Sequence, residues 1–280
     1  MSDSSRGAMR TAAWIGIPLA LLVALASLGG IFVPSTYGRE TASWAAQGTG
    51  QDWVSLILVV PWMLASAILT LRGSRRAALL LGGALVYTLY SYVIYAFAVH
   101  FNSLFLVHCA ALGLSCFALL LLLSSFLEQD VRSWYDRRVP IRTAGGLQLA
   151  LALVFALLWL SDIVPALLRG SAPASLAESG FITNPVHVLD VAIFLPALAM
   201  SGILLLRRRS SGYVLAPILL GFAVLMAAAI AGMMVLMRQR GVPGELGMSA
   251  ILAGLAVASA VVLAALLRRV HPVRQDHVGG

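Results

Sequence analysis

Eight long apolar runs set the limits on what this chain can fold into. Each run is long enough for a helix to cross a hydrocarbon core of about 30 Å, which takes roughly 20 residues. None of them alternates apolar and polar residues with period two, so helices rather than barrel strands must satisfy the backbone in lipid. The predicted spans are 11–33, 53–71, 77–99, 103–127, 146–168, 186–206, 212–236 and 248–267.

The scarcity of charge agrees with this interpretation. Charged residues make up 11% of the 280 residues, whereas a soluble domain carries about 25%. The eight runs leave no room for a separate soluble domain, and the first run is longer than the apolar region of a cleaved signal peptide. The sequence therefore predicts an all-α integral membrane protein with about eight transmembrane helices.

The arginines give the orientation. Lysine is absent, and the 19 basic residues are all arginine. Fifteen of them fall on one side of the predicted bundle and four on the other, so the positive-inside rule places the richer side in the cytoplasm. Both termini are then expected in the cytoplasm, with the protein in the cytoplasmic (inner) membrane of a bacterium. The richer side holds Arg6, Arg10, Arg72, Arg75, Arg76, Arg132, Arg137, Arg138, Arg142, Arg207, Arg208, Arg209, Arg268, Arg269 and Arg274.

The same arrangement explains the net charge of +8. Arginines at the cytoplasmic ends of spans act as a topology signal and contact anionic lipid headgroups. We therefore expect membrane lipids as partners and no nucleic acid.

The two halves of the chain resemble each other. The segment PWMLASAILTLRGSRR, starting at Pro61, aligns without gaps to PALAMSGILLLRRRSS, starting at Pro196, an offset of 135 residues. Each half holds four spans, so the halves share one orientation and form a parallel repeat about an axis along the membrane normal. We expect a first half at 1–145 and a second half at 146–280.

The repeat aligns polar residues near the outer ends of two spans. At the offset of 135, Asp52 corresponds to His187 and Ser55 to Asp190. The spacing of three residues puts both members of each pair on one helix face. A pseudo-twofold axis could bring the two faces together in one pocket.

The strongest catalytic candidates are His187, Asp190 and His100. Asn184 and Pro185 predict the start of a helix, which places Asp190 about one and a half turns inside it. Ionisable groups at that depth cost a few kcal/mol unless they are paired or hydrated. The alternative is a histidine–aspartate pair that satisfies itself and fixes the helix.

A second group of residues is predicted to bind a substrate. Its members are polar or aromatic and lie near the outer ends of the spans. For the tyrosines the alternative is packing with interhelical hydrogen bonds, and for Glu40 it is a solvent ion pair with an arginine. The candidates are Asp52, Asp162, Glu40, Tyr92, Tyr95 and Asn184.

A metal is one version of this site. Two imidazoles, one carboxylate and a water suit zinc in an open, catalytic geometry, so His100, His187 and Asp190 are hypothetical ligands for a divalent metal such as zinc. No HExxH, GxSxG or Walker motif occurs in the chain, so no signature supports a particular reaction.

Three classes of function therefore stay open. The favoured one is an extracytoplasmic-facing His/Asp pocket that binds or processes a small or lipid-like ligand. The second is a permease for a small or apolar solute, although an ion-coupled carrier usually has ionisable groups at mid-span and this topology places none there. The third is an accessory subunit without chemistry of its own.

Overall fold

The computed structural model describes residues 2–173, 175–176, 180–242 and 246–271. Within these residues the fold is helical without strands, and eight helices are long and apolar enough to cross a membrane. This confirms the predicted all-helical fold and the predicted number of helices able to span a membrane, while the parallel repeat and the orientation stay predictions. The helices are α1 Asp3–Phe32, α2 Ala42–Leu71, α3 Arg75–Ala98, α4 Phe105–Leu127, α5 Ile141–Arg169, α6 Pro185–Leu206, α7 Ser210–Gln239 and α8 Leu246–Leu267.

The start of α2 differs from the predicted boundary. The sequence predicts a loop at 34–52, because this segment is rich in small and polar residues. The helix nevertheless begins at Ala42. Thr41 caps it, since its hydroxyl accepts a hydrogen bond of 3.2 Å from the backbone N–H of Trp44. Asp52 therefore lies about 15 Å along the helix from its first residue, deeper than the sequence indicates.

Two helices contain a π-helical turn at corresponding places. In α2 the turn is Ser55–Val59, and in α6 it is Asp190–Phe194. A proline follows each turn by two residues, Pro61 in α2 and Pro196 in α6. Proline lacks the N–H needed for the regular ladder, and a π turn is a common way for a helix to absorb such a break.

The centre of the bundle is formed by α3 and α7. They are the two most buried of the eight spans, and they cross where Gly83 meets Gly221. A Cβ atom on Gly83 would lie 3.0 Å from the Cα of Gly221. Small residues at a crossing let two helix backbones approach closely, which is how helices gain packing energy in lipid.

One face of the bundle, here called the arginine-rich end, is formed by three loops and the end of α8. The loops join α2 to α3, α4 to α5 and α6 to α7. Backbone and side-chain contacts hold this end together. The Tyr135 hydroxyl donates to the carbonyl of Tyr213 at 3.0 Å, and the N–H of His271 donates to the carbonyl of Trp134 at 2.8 Å. The other face, formed by 33–41, 99–104, 170–173, 180–184 and 240–242, is called the opposite end.

Candidate functional site

A cavity of about 320 Å³ lies between the two halves of the bundle, toward the opposite end. Residues of α2, α3, α5, α6, α7 and α8 line it, together with parts of the segment before α6. Most of the lining is apolar and much of it aromatic. The aromatic lining residues are Trp44, Tyr90, Phe155, Trp159, Phe181, Phe194 and Phe222.

Asp190 is the charged residue of this cavity. Among the described lining residues no other carries a formal charge, and no described cation lies within ion-pair distance of its carboxylate. The Trp159 indole N–H donates a hydrogen bond of 2.8 Å to the carboxylate, and the Tyr90 hydroxyl interacts with it as well. The π turn that begins at Asp190 sets the position of this side chain on the helix.

His187 lies behind the cavity wall rather than in it. Its ring packs against Trp159 with 4.7 Å between the ring centroids, and the residue is 7% exposed. The predicted cap at Asn184 is confirmed, because its side-chain oxygen accepts the N–H groups of Val186 and His187 at 3.0 and 3.3 Å. His187 and Asp190 thus both contact Trp159, His187 through a tilted ring contact and Asp190 through the indole N–H.

Asp162 lies one turn beyond Trp159 on α5. Its carboxylate accepts a hydrogen bond of 2.6 Å from the hydroxyl of Ser175, and Ser175 lines the cavity while Asp162 does not. Asp162 therefore positions part of the wall from outside.

Glu40 and His100 form a separate pair at the opposite end. The His100 ring and the Glu40 carboxylate are 3.1 Å apart, and the His100 backbone N–H donates to the same carboxylate at 2.7 Å. The histidine side chain is 61% exposed and the glutamate 2%. This pair ties the loop before α2 to the end of α3, and neither residue lines the cavity.

Asp52 is the centre of a second buried polar group, in the first half of the chain. The hydroxyl of Tyr37 donates to its carboxylate at 2.6 Å and that of Tyr95 at 3.1 Å. Tyr37 lies in the loop after α1, where burial and the neighbouring Asp52 raise the pKa of its hydroxyl well above the usual value. The tyrosine therefore keeps its proton and serves as a donor.

The same group extends to His108 through ring contacts. The His108 ring stacks on Tyr95 with 5.4 Å between centroids and tilts against Tyr92 at 5.9 Å. Tyr92 and Tyr95 are thus buried packing partners in the first half, and neither lines the cavity. The pairs Asp52/Ser55 and His187/Asp190 occupy separate polar groups instead of sharing one pocket.

The hypothetical metal ligands do not assemble. Among the described residues no group of three or more histidine, cysteine, aspartate or glutamate side chains could hold a metal ion. His100 is engaged with Glu40, whereas His187 and Asp190 contact Trp159. A zinc site made of His100, His187 and Asp190 therefore has no support in the geometry, and a catalytic role for these three residues stays a prediction.

Several residues of the cavity escaped the sequence analysis. Trp159 supports both predicted residues of α6, and Gln51 and Phe222 line the cavity from α2 and α7. Trp159 carries a weak signal, because a tryptophan one turn before an acid near a span end has a polar N–H to satisfy. Gln51 and Phe222 carry none, since their contribution depends on which helices are neighbours.

Comparison of the chain with protein-family models, with curated proteins and with solved structures finds no significant match. The function must therefore be inferred from the side chains and their arrangement.

Proposed function

We propose that the cavity between the halves binds an amphiphilic molecule, whose apolar body occupies the aromatic lining and whose cationic or hydrogen-bond-donating head meets Asp190. The single observation that carries this proposal is a lone carboxylate in an otherwise uncharged, mostly apolar cavity. Asp190 is half-buried, and an acid withdrawn from water without a cationic partner is costly. A ligand that brings a positive charge or a donor would remove that cost.

The aromatic lining supports a cationic head in particular. Trp159 and Tyr90 line the cavity and contact Asp190 through their polar edges. Aromatic rings attract a cation through their quadrupoles, an effect worth about 0.5 to 2 kcal/mol. The volume of about 320 Å³ lies at the lower end of the usual range for small-molecule sites. It suits a molecule with a short chain or a single ring system better than a whole phospholipid.

The orientation completes the proposal. Since arginines concentrate at cytoplasmic ends of spans, we place the arginine-rich end in the cytoplasm and the cavity near the outer surface of a bacterial inner membrane. The ligand would then arrive from outside the cell or from the outer leaflet.

A carrier for the same class of ligand is the second candidate. Its support is the pair of π turns, because Ser55–Val59 and Asp190–Phe194 are separated by the same 135 residues as Pro61 and Pro196. The crossing of α3 and α7 shows the same offset, because Gly83 contacts Ile218 and the two positions are 135 residues apart. Internal repeats around a central site are common in transporters.

The test uses octyltrimethylammonium as the probe, with octyl sulfate and octanol as charge controls, on purified protein in maltoside micelles. Tryptophan fluorescence reports binding, since Trp44 and Trp159 line the cavity. We expect saturable binding of the cation, and a weakening of about tenfold or more in Asp190→Asn, because an ion pair at about 5 Å in an effective dielectric of about 20 is worth about 3 kcal/mol.

Asp162→Asn is the matched control, because it removes the charge of an acid that does not line the cavity, while the amide oxygen can still accept the hydrogen bond from Ser175 that positions the wall. Binding that is equal for all three probes, or equally weakened in both variants, would contradict the proposal. Uptake of the labelled cation into proteoliposomes then separates a carrier from a binding protein. An accessory subunit would show neither binding nor uptake.

A further inference from the structure

A second concave site lies at the arginine-rich end, outside the cavity described above. It is a cleft of about 800 Å³ between the segment that joins α4 to α5 and the turn that joins α6 to α7. Two separate parts of the chain thus supply its walls. The charged lining residues are Arg132, Arg137, Arg207, Arg208, Arg209 and Asp130.

The five guanidinium groups of this cleft have no partner within the described part of the chain, where no hydrogen bond or ion pair is formed by their side chains. Other arginines at the same end are occupied. Arg76 donates to the carbonyl of Val270 at 2.6 Å, and Arg269 is paired with Asp136 at 3.5 Å. Five arginines against one aspartate leave the cleft with a surplus of positive charge. The positive-inside rule asks for arginines on the cytoplasmic side, but it does not require five of them to surround one cleft.

Arg208 is held in a backbone conformation that favours glycine. Its φ is +54°, and it is the sole non-glycine residue with positive φ among those described. The corresponding turn of the first half has Gly73, with φ of +89°, and 73 plus 135 is 208. The second half therefore carries an arginine where the first half has the residue that fits the turn without strain.

We propose that this cleft binds a phosphate group, carried either by the headgroup of an anionic phospholipid or by a soluble phosphate compound. The guanidinium fork matches the oxygens of phosphate in a bidentate manner. Basic pockets at the cytoplasmic side of membrane proteins bind anionic headgroups on the same basis. The bound phosphate bridges the loops of the two halves, and its charge offsets the repulsion among the arginines.

The experiment measures the affinity of the purified full-length protein for dioctanoyl-phosphatidic acid, for dioctanoyl-phosphatidylcholine and for inorganic pyrophosphate, together with the melting temperature. The key variant is Arg208→Gly. Because glycine accepts the positive φ, the melting temperature should be unchanged or higher, while affinity for phosphatidic acid should fall about fivefold. If Arg208 had only a structural role, its replacement by glycine would not raise the melting temperature and lower the affinity for phosphatidic acid together.

Two further variants complete the design. Arg137→Gln, from the other wall of the cleft, should weaken binding about as much as Arg208→Gly. Arg268→Gln is the control, since it lies at the same end, is exposed and changes the net charge equally, and it should leave affinity within about twofold.

The outcomes separate the sources of the phosphate. Tight binding of phosphatidic acid with little binding of pyrophosphate indicates a lipid headgroup, and tight binding of pyrophosphate indicates a soluble compound. The proposal is overturned if neither binds above the level of phosphatidylcholine, or if Arg268→Gln weakens binding as much as Arg208→Gly.

Discussion

Replacing Gly30 with alanine should disrupt the buried polar group around Asp52. A Cβ atom at this position of α1 would overlap the Asp52 carboxylate oxygen that accepts the Tyr37 hydrogen bond, and would lie 2.9 Å from the Tyr37 hydroxyl itself. The carboxylate would have to move, although Tyr37 and Tyr95 hold it on both oxygens.

The size of the effect follows from the two hydrogen bonds. A buried donor or acceptor left unsatisfied costs about 1 to 3 kcal/mol, so losing both bonds costs about 2 to 6 kcal/mol. The better helix propensity of alanine returns up to about 1 kcal/mol. We therefore expect Gly30→Ala to lower the free energy of unfolding by about 3 kcal/mol.

The assay is reversible unfolding of the purified protein in mixed micelles of maltoside and dodecyl sulfate, followed by circular dichroism. Gly113→Ala on α4 is the matched control, because nothing lies within 4 Å of its Cβ position, and it should be neutral or more stable by up to about 1 kcal/mol. In an Asp52→Ala background most of the penalty of Gly30→Ala should disappear, since the clashing carboxylate is gone and the Tyr37 hydroxyl, no longer tied to it, can move away from the new Cβ. If Gly30→Ala is as stable as Gly113→Ala, the reasoning is refuted.

Two further substitutions test other contacts by the same unfolding assay. Gly83→Ala should destabilise the protein by about 1 to 3 kcal/mol, because the new Cβ would meet the backbone of Gly221 and Ile218 at 3.0 Å, and a stability equal to wild type would mean that α3 and α7 do not cross there. The hydroxyls of Ser2 and Ser5 donate to Glu128 and hold the pKa of that exposed carboxylate below its usual range. Its contribution to stability is therefore present above the unfolded-state pKa and is lost as the pH falls through the lower folded-state pKa. Glu128→Gln should thus reduce the loss of stability on acidification. If the free energy of unfolding of this variant fell with acidic pH as steeply as that of the wild type, the link between the start of α1 and the end of α4 would be contradicted.

The helices could be predicted from the sequence because each depends on the chemistry of its own stretch of residues. Eight apolar runs gave eight helices, and the Asn184–Pro185 pair marked the start of α6 as predicted. The start of α2 at Ala42 was missed. Its first turns are polar enough to resemble a loop, yet Gln51 and Asp52 are buried against neighbouring helices.

The site could be predicted only in part, because it depends on which helices are neighbours. Asp190 was predicted from the cost of an acid inside a span, and its side chain lines the cavity, while the role predicted for it stays a prediction. The sequence did not show that Trp159 supplies that partner, that His100 is occupied by Glu40, or that Asp52 belongs to another polar group. These pairings join residues 15 to 60 positions apart in the chain, and no local pattern encodes them.

The most direct test of the central claim is photolabelling with an octyltrimethylammonium analogue that carries a diazirine near the end of its alkyl chain. The account predicts crosslinks to cavity residues such as Phe155, Met226 and Met233, suppressed by excess octyltrimethylammonium and reduced in Asp190→Asn. Crosslinks spread over the lipid-facing surface, with the same yield in Asp190→Asn as in Asp162→Asn, would contradict it.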